Sequence, residues 1–270
     1  MGDTLQKIYA AKAAQLAEEE ASEPYDSVRE RALARKAQRR PFLDALRAAH
    51  GTAFIAEIKR ASPSAGLIAR NFDPPSIGRV YQSAGVDAIS VLTERDHFLG
   101  ELSYLDQVRE ATTRPLLRKD FLWTRYHVAQ SAAYGADCVL LIVGGMDPAQ
   151  LNDCLDEARA YDLDALVEVH NEDDLTLALT VGATLVGVNN RSLRTLVTDL
   201  AVSEHLLPKV PNTVFAISES GMRDASDIAR LHAAGARGFL VGEALMRADD
   251  PAALIESLRQ GAVADAVSAR

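Results

Sequence analysis

Residues 135–143 read Gly-Ala-Asp-Cys-Val-Leu-Leu-Ile-Val, in which a glycine and a small residue lead through an aspartate into an apolar run. Glycine readily adopts the left-handed conformation in which many helices end. A short apolar run without polar alternation is typical of a strand that is buried on both faces. The stretch therefore predicts a helix end followed directly by a core strand of a parallel sheet.

The same pattern recurs at a near-constant interval. Its glycines are Gly85, Gly135, Gly182 and Gly235, which lie 50, 47 and 53 residues apart. Such a period, which corresponds to two strand–helix units, is typical of repeated units that close into a ring. An open, doubly wound sheet could show the same period, so closure is an inference from this pattern.

Eight apolar runs alternate with amphipathic segments from about residue 52 onward. They lie at 54–59, 88–92, 115–119, 138–143, 165–169, 185–189, 214–218 and 238–242. This alternation predicts a parallel sheet covered by helices, and barrels of this kind run to about 250 residues as one domain. We therefore expect a single α/β domain over residues 1–270. Its parts are a (β/α)8 TIM barrel at 51–262, a helical N-terminal extension at 1–50 and a disordered tail at 263–270.

The N-terminal extension contains a basic run. It comprises Arg29, Arg31, Arg35, Lys36, Arg39 and Arg40. The plain interpretation is a solvated helix face. The alternative is a basic cover that helps to attract an anionic substrate.

The composition excludes several classes of protein. The formal net charge is −9, whereas a protein that wraps nucleic acid needs an extended basic face. No apolar run approaches the ~20 residues of a membrane span, and residues 1–7 lack the apolar segment of a signal peptide. The two cysteines, Cys138 and Cys154, have no metal-binding spacing and fit a reducing compartment. We expect a cytoplasmic protein without nucleic-acid or membrane partners.

Metal ions and nucleotide cofactors are not expected. The histidines are scattered, and no cluster has the spacing of metal ligands. No glycine-rich dinucleotide motif follows any predicted strand. His170 is the one histidine close to the predicted strand ends, and we expect it to cap the start of a helix.

Polar residues gather at the carboxyl ends of the predicted strands, where barrels of this type carry their active sites. They are Glu57, Lys59, Lys119, Asp120, Glu168, Asn189, Asn190, Arg191, Ser218, Glu219, Ser220, Gly221, Gly242 and Glu243. Buried charges cost several kcal/mol unless they are paired, so such a cluster indicates a functional site. Ordinary ion pairs that close the top of the barrel are the structural alternative.

The cations among these residues suggest an anionic ligand. Lys59, Lys119 and Arg191 could meet anions, and loops after the last two strands of such barrels commonly bind phosphate through backbone N–H groups. Those loops carry Ser220, Gly221 and Gly242 here, while Ser62, Ser64 and Gly66 follow the first strand. Glu243 is an unsuitable neighbour for phosphate, and we expect its carboxylate to point away.

Lys119 and Glu168 carry the strongest indication of reaction type. A lysine can act as a general acid and a glutamate as a general base when each lies near its proton. A lysine can instead form a Schiff base with a carbonyl substrate. Sequence spacing does not separate these roles.

The ordered strand-end motifs resemble those of the indole-3-glycerol-phosphate synthase family. Residues 57–64 read Glu-Ile-Lys-Arg-Ala-Ser-Pro-Ser, which resembles the first-strand signature of that family. The other motifs lie at 117–121, 167–170, 187–191, 218–221 and 240–246. The resemblance covers nearly the whole chain, including the helical extension. One departure is Ser192, where the family usually has an aspartate that anchors the loop after the sixth strand.

The resemblance implies a reaction and a role for each motif residue. The family converts 1-(2-carboxyphenylamino)-1-deoxyribulose 5-phosphate to indole-3-glycerol phosphate, carbon dioxide and water in tryptophan biosynthesis, without a cofactor. It implies Lys119 as general acid, Glu168 as general base, and Lys59, oriented by Glu57, as the group that holds the substrate carboxylate. Asn189, Arg191 and Glu219 would complete the polar network. The remaining substrate- and phosphate-binding residues would be Ser62, Phe121, Ser220, Gly221, Leu240, Gly242 and, through its backbone, Glu243.

Two other functions stay open at this point. One is another phosphosugar-processing barrel of the phosphoribosyl isomerase kind, and the other is a barrel that binds a phosphorylated ligand without turnover. A general base argues against pure binding, because binding alone does not need one. We expect a small phosphorylated substrate and a monomer, and docking with other tryptophan-pathway enzymes is an open possibility.

Overall fold

The computed structural model describes residues 4–268 and the side chains of residues 8–261. Its strands are β1 (Ala53–Ile58), β2 (Ala61–Ser62), β3 (Gly66–Leu67), β4 (Ala88–Leu92), β5 (Leu116–Lys119), β6 (Cys138–Ile142), β7 (Asp164–Val169), β8 (Leu185–Asn189), β9 (Phe215–Glu219) and β10 (Gly238–Val241). Its first helices are α1 (Thr4–Ser22), α2 (Tyr25–Ala34), α3 (Phe42–Arg47), α4 (Pro74–Ser83), α5 (Ser103–Ala111) and α6 (Arg125–Ala133). The others are α7 (Pro148–Ala160), α8 (Glu172–Thr180), α9 (Ala201–Leu206), α10 (Ala225–Ala233), α11 (Glu243–Arg247) and α12 (Pro251–Ser268).

Eight of these strands close into a parallel barrel, which confirms the predicted (β/α)8 fold. The order around the ring is β1-β10-β9-β8-β7-β6-β5-β4, and β1 pairs with both β4 and β10. The four glycines of the repeated pattern all have positive φ, as a left-handed helix end requires. Strands β2 and β3 form a small antiparallel hairpin in the loop after β1.

Alternate strand residues face the inside of the barrel because side chains in a strand alternate between its faces. Ile55, Leu117, Leu166 and Ile217 pack in the interior core, whereas neighbours such as Ala56 belong to a second core between strands and helices. The same alternation points the last residues of several strands into the mouth of the barrel. These residues are Glu57, Lys119, Glu168, Asn189 and Glu219.

The N-terminal extension contacts both ends of the barrel. Ile8 of α1 joins the interior core near the mouth, while Phe42 and Leu46 of α3 fill its opposite end beside Ala53 and Ala88. Helix α2 packs against α6 on the outside. The extension is therefore a structural part of the barrel.

The basic run fastens this extension to the amino ends of the strands. Arg40 donates hydrogen bonds to the carbonyl oxygens of Arg109 and Arg114, and Arg39 donates to the carbonyls of Ala132 and Ala136. These contacts precede β5 and β6, at the end of the barrel opposite the mouth. The run is thus neither a cover over the site nor, apart from an exposed Arg29, a fully solvated face.

The C-terminal helix overlaps the stretch expected to be a disordered tail. The backbone is helical to Ser268 in α12, and residues 269–270 lie outside the described residues. Cys138 and Cys154 are both free thiols in the buried core. No helix within residues 4–268 is long and apolar enough to cross a membrane.

Candidate active site

A cavity of about 370 Å³ opens at the carboxyl ends of the barrel strands. Every residue to which the family resemblance gave a role lines it: Glu57, Lys59, Ser62, Lys119, Phe121, Glu168, Asn189, Arg191, Glu219, Ser220, Gly221, Leu240, Gly242 and Glu243. Asn190 and Ser218 of the predicted polar cluster do not line it. The predicted strand ends therefore meet in one pocket, although they are dispersed over most of the sequence.

Lys119 lies at the centre of the polar part of the cavity. Its Nζ is 2.9 Å from Glu168 Oε2 and 2.9 Å from Glu219 Oε2, so one ammonium bridges two carboxyl groups. The three side chains come from β5, β7 and β9, and both glutamates are almost completely buried. Three separate strands thus fix one acid–base cluster, which is the preorganisation that proton transfer requires.

Glu57 and Lys59 form a second lysine–carboxylate pair. Their Nζ and Oε1 atoms are 2.5 Å apart, and the two side chains are largely buried. Residues two apart in an extended chain point to the same side. Glu57, near the end of β1, and Lys59, just after it, therefore both point into the cavity. Gly242 lies beside this pair, and a Cβ atom built on it would overlap Glu57 Oε1.

The surroundings of Lys119 keep its ammonium group protonated. Burial alone would lower its pKa, but the charges of Glu168, Glu219 and Glu57 outweigh burial and raise the pKa above its usual value. A Schiff base needs a neutral amine, so this environment favours the general-acid role over the covalent one.

The two carboxyl groups beside Lys119 differ in protonation. Burial opposes the charge of Glu168, but Lys119 and then His170 outweigh it and lower the Glu168 pKa. Burial and the charge of Glu168 raise the pKa of Glu219 to about 8, although Lys119 partly offsets them. Near neutral pH the pair therefore holds one proton, with Glu168 ionised and Glu219 neutral.

Arg191 connects three loops at the cavity. Its Nη1 donates a 2.7 Å hydrogen bond to Ser64 Oγ and a 3.4 Å bond to the Leu196 carbonyl. Its Nη2 lies 3.9 Å from Glu243 Oε2, while Arg247 Nε donates to Glu243 Oε1 at 3.1 Å. The Glu243 carboxylate therefore lies between two arginines and does not point away as expected.

The turn after β9 is held in an uncommon conformation. Ser220 and Gly221 both have positive φ, 66° and 93°, and such backbone in a non-glycine residue is often found at functional sites. The Asn190 side chain donates to the carbonyl oxygens of Glu219 and Ser220 and so fixes this turn. The backbone N–H groups of Ser220 and Gly221 consequently have a defined position at the cavity edge.

The cavity also has an apolar wall that the sequence motifs did not reveal, except for Phe121 and Leu240. Its members are Ile8, Leu92, Phe98, Phe121, Leu140, Ile142, Leu193 and Leu240. Ile8 comes from the N-terminal helix, where no strand-end pattern marks it. The wall provides an apolar surface of the kind that binds an aromatic ring.

Two cations of the cavity were also missed. Arg223 follows the turn after β9, and Arg247 ends α11. The position of Arg247 four residues after Glu243 is a helical spacing that could have indicated their ion pair.

His170 does not cap a helix as predicted. Asn171 is the N-cap of α8, with its side chain accepting a hydrogen bond from Asp174 N. His170 Nε2 is buried 3.5 Å from Glu168 Oε1 and has no hydrogen-bond partner among the described residues. Within the same described part of the chain, no group of histidine, cysteine and carboxylate side chains could hold a metal ion.

The comparisons with known proteins agree on one family. The family model of indole-3-glycerol phosphate synthase matches residues 5–258. A protein of that name from Azospirillum brasilense is 48% identical over 204 residues, 76% of this chain and 78% of that protein. One from Chromobacterium violaceum is 42% identical over 261 residues, 96% of this chain and 98% of that protein.

Solved structures share the fold at low sequence identity. Thiamine phosphate pyrophosphorylase from Pyrococcus furiosus has a TM-score of 0.59 at 17% identity, covering 79% of this chain and 96% of its own. A 3-hexulose-6-phosphate synthase has a TM-score of 0.58 at 21% identity, covering 77% of this chain and 99% of its own. These likenesses concern the barrel fold alone.

Proposed function

This chain belongs to the indole-3-glycerol phosphate synthase family, and we propose that the cavity at its barrel mouth holds the whole acid–base apparatus of that reaction. The enzyme is a carboxy-lyase of tryptophan biosynthesis, acting on 1-(2-carboxyphenylamino)-1-deoxyribulose 5-phosphate. The observation that carries the assignment of roles is the position of Lys119, whose ammonium lies 2.9 Å from both Glu168 and Glu219.

Ring closure requires an acid at the substrate ketone. As the aromatic carbon that bears the carboxyl group attacks the ketone carbon, Lys119 gives its proton to the ketone oxygen, which becomes a hydroxyl group. The carbon–carboxyl bond then breaks, carbon dioxide leaves, and its electron pair restores the aromatic ring. The carboxyl groups around Lys119 hold its pKa above the usual value and so keep the lysine protonated before the reaction begins, as a proton donor must be.

Loss of water requires an acid and a base on different sides of the new ring. The hydroxyl group leaves as water with a proton from a lysine, Lys119 or Lys59. Glu168 removes a proton from the neighbouring carbon, so that the double bond of indole forms. The lowered pKa of Glu168 supports its role as the ionised base.

The two anionic ends of the substrate have separate cations available. Lys59, oriented by Glu57 at 2.5 Å, would bind the aromatic carboxylate. Arg191 would bind the phosphate together with Ser62 and the backbone of Ser220, Gly221, Gly242 and Glu243, all of which line the cavity. The apolar wall, including Phe121 and Leu240, would contact the aromatic ring between them.

The alternative functions account for less of this geometry. A protein that only binds a phosphorylated ligand does not need a buried ammonium between two carboxyl groups, which is costly to desolvate. A phosphosugar isomerase of the kind considered from the sequence would not need the second lysine–carboxylate pair. We infer further that the protein is cytoplasmic and monomeric, and that it can dock with enzymes that act on the same intermediates.

The test is turnover of the named substrate by the purified full chain. Formation of indole-3-glycerol phosphate is followed by indole absorbance or fluorescence. We expect Lys119→Ala to abolish turnover while substrate still binds, and Glu168→Gln to lower kcat far more than affinity. Tight binding without product by the unmodified protein would instead support the binding function, and near-normal turnover by Lys119→Ala would remove the assigned acid.

A further inference from the structure

Gly187 lies next to Glu168 and Glu219 of the cavity but has no role among the groups assigned above. It is the middle residue of β8, between Leu185 and Asn189 on the inward-facing side of the strand. Its register partners are Glu168 on β7 and Ile217 on β9. A residue at this position would project its side chain into the barrel directly beneath the catalytic carboxyl groups.

The space above Gly187 is occupied by Glu219. A Cβ atom built on Gly187 would overlap Glu219 Oε1, the oxygen that does not face Lys119. The other neighbour of that Cβ atom is Leu166 Cδ1 at 3.1 Å, a flexible methyl group that can yield by a few tenths of an ångström. The glutamate is therefore the group that a side chain at residue 187 would displace.

Backbone conformation does not explain this glycine. The φ angle of Gly187 is not positive. The residue lies within a regular strand, where an alanine would adopt the same dihedral angles. Glycine in a strand interior weakens the strand and often marks a close approach by another group. Here the approaching group is the Glu219 carboxyl.

We infer that Gly187 is a positioning residue, whose missing side chain leaves the space in which the Glu219 carboxyl group lies against Lys119 opposite Glu168. This inference rests on the proposed roles of Lys119 and Glu219. Glu219 Oε1 is buried without a hydrogen-bond partner among the described residues, an arrangement that costs stability. The position is therefore explained by the contact of Glu219 Oε2 with Lys119 and not by favourable bonding of Oε1.

A second glycine shows the same relationship to the other lysine–carboxylate pair. A Cβ atom on Gly242 would overlap Glu57 Oε1 and would lie 3.1 Å from Lys59 Nζ. Glu219 of the Lys119 cluster and Glu57 of the Lys59 pair thus each lie over a glycine. Gly242 also has a proposed role in phosphate binding, so Gly187 gives the cleaner test.

The test is a double-mutant cycle in the full-length protein. Gly187→Ala is measured alone and in the Glu219→Ala background, where the overlapping carboxyl group is gone. We expect Gly187→Ala alone to lower kcat about 10- to 100-fold, since a displacement of about 1 Å can cost 10²-fold. In the Glu219→Ala background we expect less than a twofold further loss, because residues that act through one another are not additive.

The pH dependence supplies a readout that a merely structural role would not change. Glu219 faces Lys119, Glu168 and Glu57, and its burial holds its pKa at about 8. A side chain at residue 187 would push the carboxyl group toward the open cavity and lower that pKa. The basic limb of the plot of kcat against pH should then move to lower pH in Gly187→Ala. It should stay in place in the control variant, Gly144→Ala.

The matched control is Gly144→Ala. Gly144 lies in the short turn just after β6, has a φ that is not positive, as Gly187 does, and would place its Cβ atom in open space. We expect unchanged kcat and thermal midpoint for this variant.

The outcomes separate this inference from the function. Turnover by the unmodified chain tests the function, and Glu219→Ala tests the role of Glu219. The inference fails if Gly187→Ala keeps kcat within twofold, or if its loss is the same in both backgrounds. Should Gly187→Ala not fold, folding of the double variant would support the inference, and failure of both would show that the space serves another neighbour.

Discussion

Lys12 of α1 and Asp120, the residue that follows Lys119, form an ion pair of 2.8 Å in which both side chains are almost completely buried. Asp120 also accepts hydrogen bonds from Thr93 at 2.7 Å and from Arg118 at 3.2 Å. Burial would raise the pKa of Asp120, but the charges of Lys12 and Arg118 outweigh it and lower the pKa to about 2. The N-terminal helix is thus tied to the backbone that carries the proposed general acid.

Lys12→Met should destabilise the protein and loosen α1. Removing one partner of a buried pair costs about 3–5 kcal/mol, and the remaining partners of Asp120 favour the lower end of that range. Because Ile8 of α1 lines the cavity, we also expect a higher KM. Denaturant unfolding and steady-state kinetics measure both effects.

The control for this variant is Lys36→Met, which removes an exposed ion pair with Asp162 of 3.1 Å. An exposed pair contributes about 0–1 kcal/mol, so this variant should unfold nearly as the unmodified protein does. Equal stability of the two variants would show that the Lys12 pair does not hold the helix.

Glu219→Gln should remove a pH dependence of activity and of stability. The Glu219 pKa of about 8 in the folded protein exceeds the ordinary value of 4.5, so the native state binds the extra proton between these values. The stability contribution of this group is therefore full below about pH 4.5 and is lost as pH rises through about 8. Glutamine stays neutral at every pH and does not lose this contribution. As pH increases from about 4.5 to about 8, the melting temperature of the variant should therefore increase relative to that of the unmodified protein.

The kinetic expectation for Glu219→Gln follows from the same proton. Near pH 7 the variant should lose less than about tenfold in kcat, because a neutral amide replaces a neutral carboxyl group. The decline of kcat above about pH 8 should weaken or disappear in the variant. A basic limb that is identical in both proteins would assign it to another group.

His170→Asn should move the acid limb of the kcat profile to higher pH. Among the charges that lower the Glu168 pKa, Lys119 is the largest and His170 the next. Loss of the imidazole raises the pKa of Glu168, so the base is protonated up to a higher pH. His205→Asn, on an exposed histidine paired with Glu172, is the control that should leave the profile unchanged.

Arg191→Ala should weaken substrate binding far more than it slows the chemical steps. A hydrogen bond to a charged group contributes about 1.5–3 kcal/mol, which corresponds to roughly a 10- to 150-fold rise in KM. Arg194→Ala in the same loop is the control, since Arg194 is exposed and does not line the cavity. If both variants bind inorganic phosphate and substrate equally well, the phosphate lies elsewhere.

The sequence predicted the barrel and most of the polar residues of its cavity, because both depend on local patterns, but it missed Arg223 and Arg247. Apolar runs indicate the strands. Because side chains alternate between the two faces of a strand, the same runs predict that Glu57, Lys119 and Glu168 point into the barrel. Ser192 shows that a departure from a family pattern can be compensated locally. Its hydroxyl accepts from Thr195 N and its backbone N–H bonds the Val197 carbonyl, so the loop remains anchored.

The features that could not be predicted from the sequence depend on burial and on contacts between residues that are distant along the chain. The neutral state of Glu219 requires the nearby charges of Glu168 and Glu57 and the loss of water, none of which spacing reveals. The pairing of Lys12 with Asp120 and the place of Ile8 in the cavity require the path of α1 across the mouth. The space above Gly187 is filled by the side chain of Glu219 from the neighbouring strand, which the local sequence around Gly187 does not reveal.

The pairing of β1 with β10 has a consequence during synthesis on the ribosome. Glu57 and Lys59 are translated early, but their neighbour Gly242 is made almost two hundred residues later, and domains fold as units as the chain emerges. A nascent chain that lacks β10 already contains every proposed acid and base, but its barrel is open between β1 and β9. The closed cavity therefore forms only after β10 has been synthesised and has paired with β1.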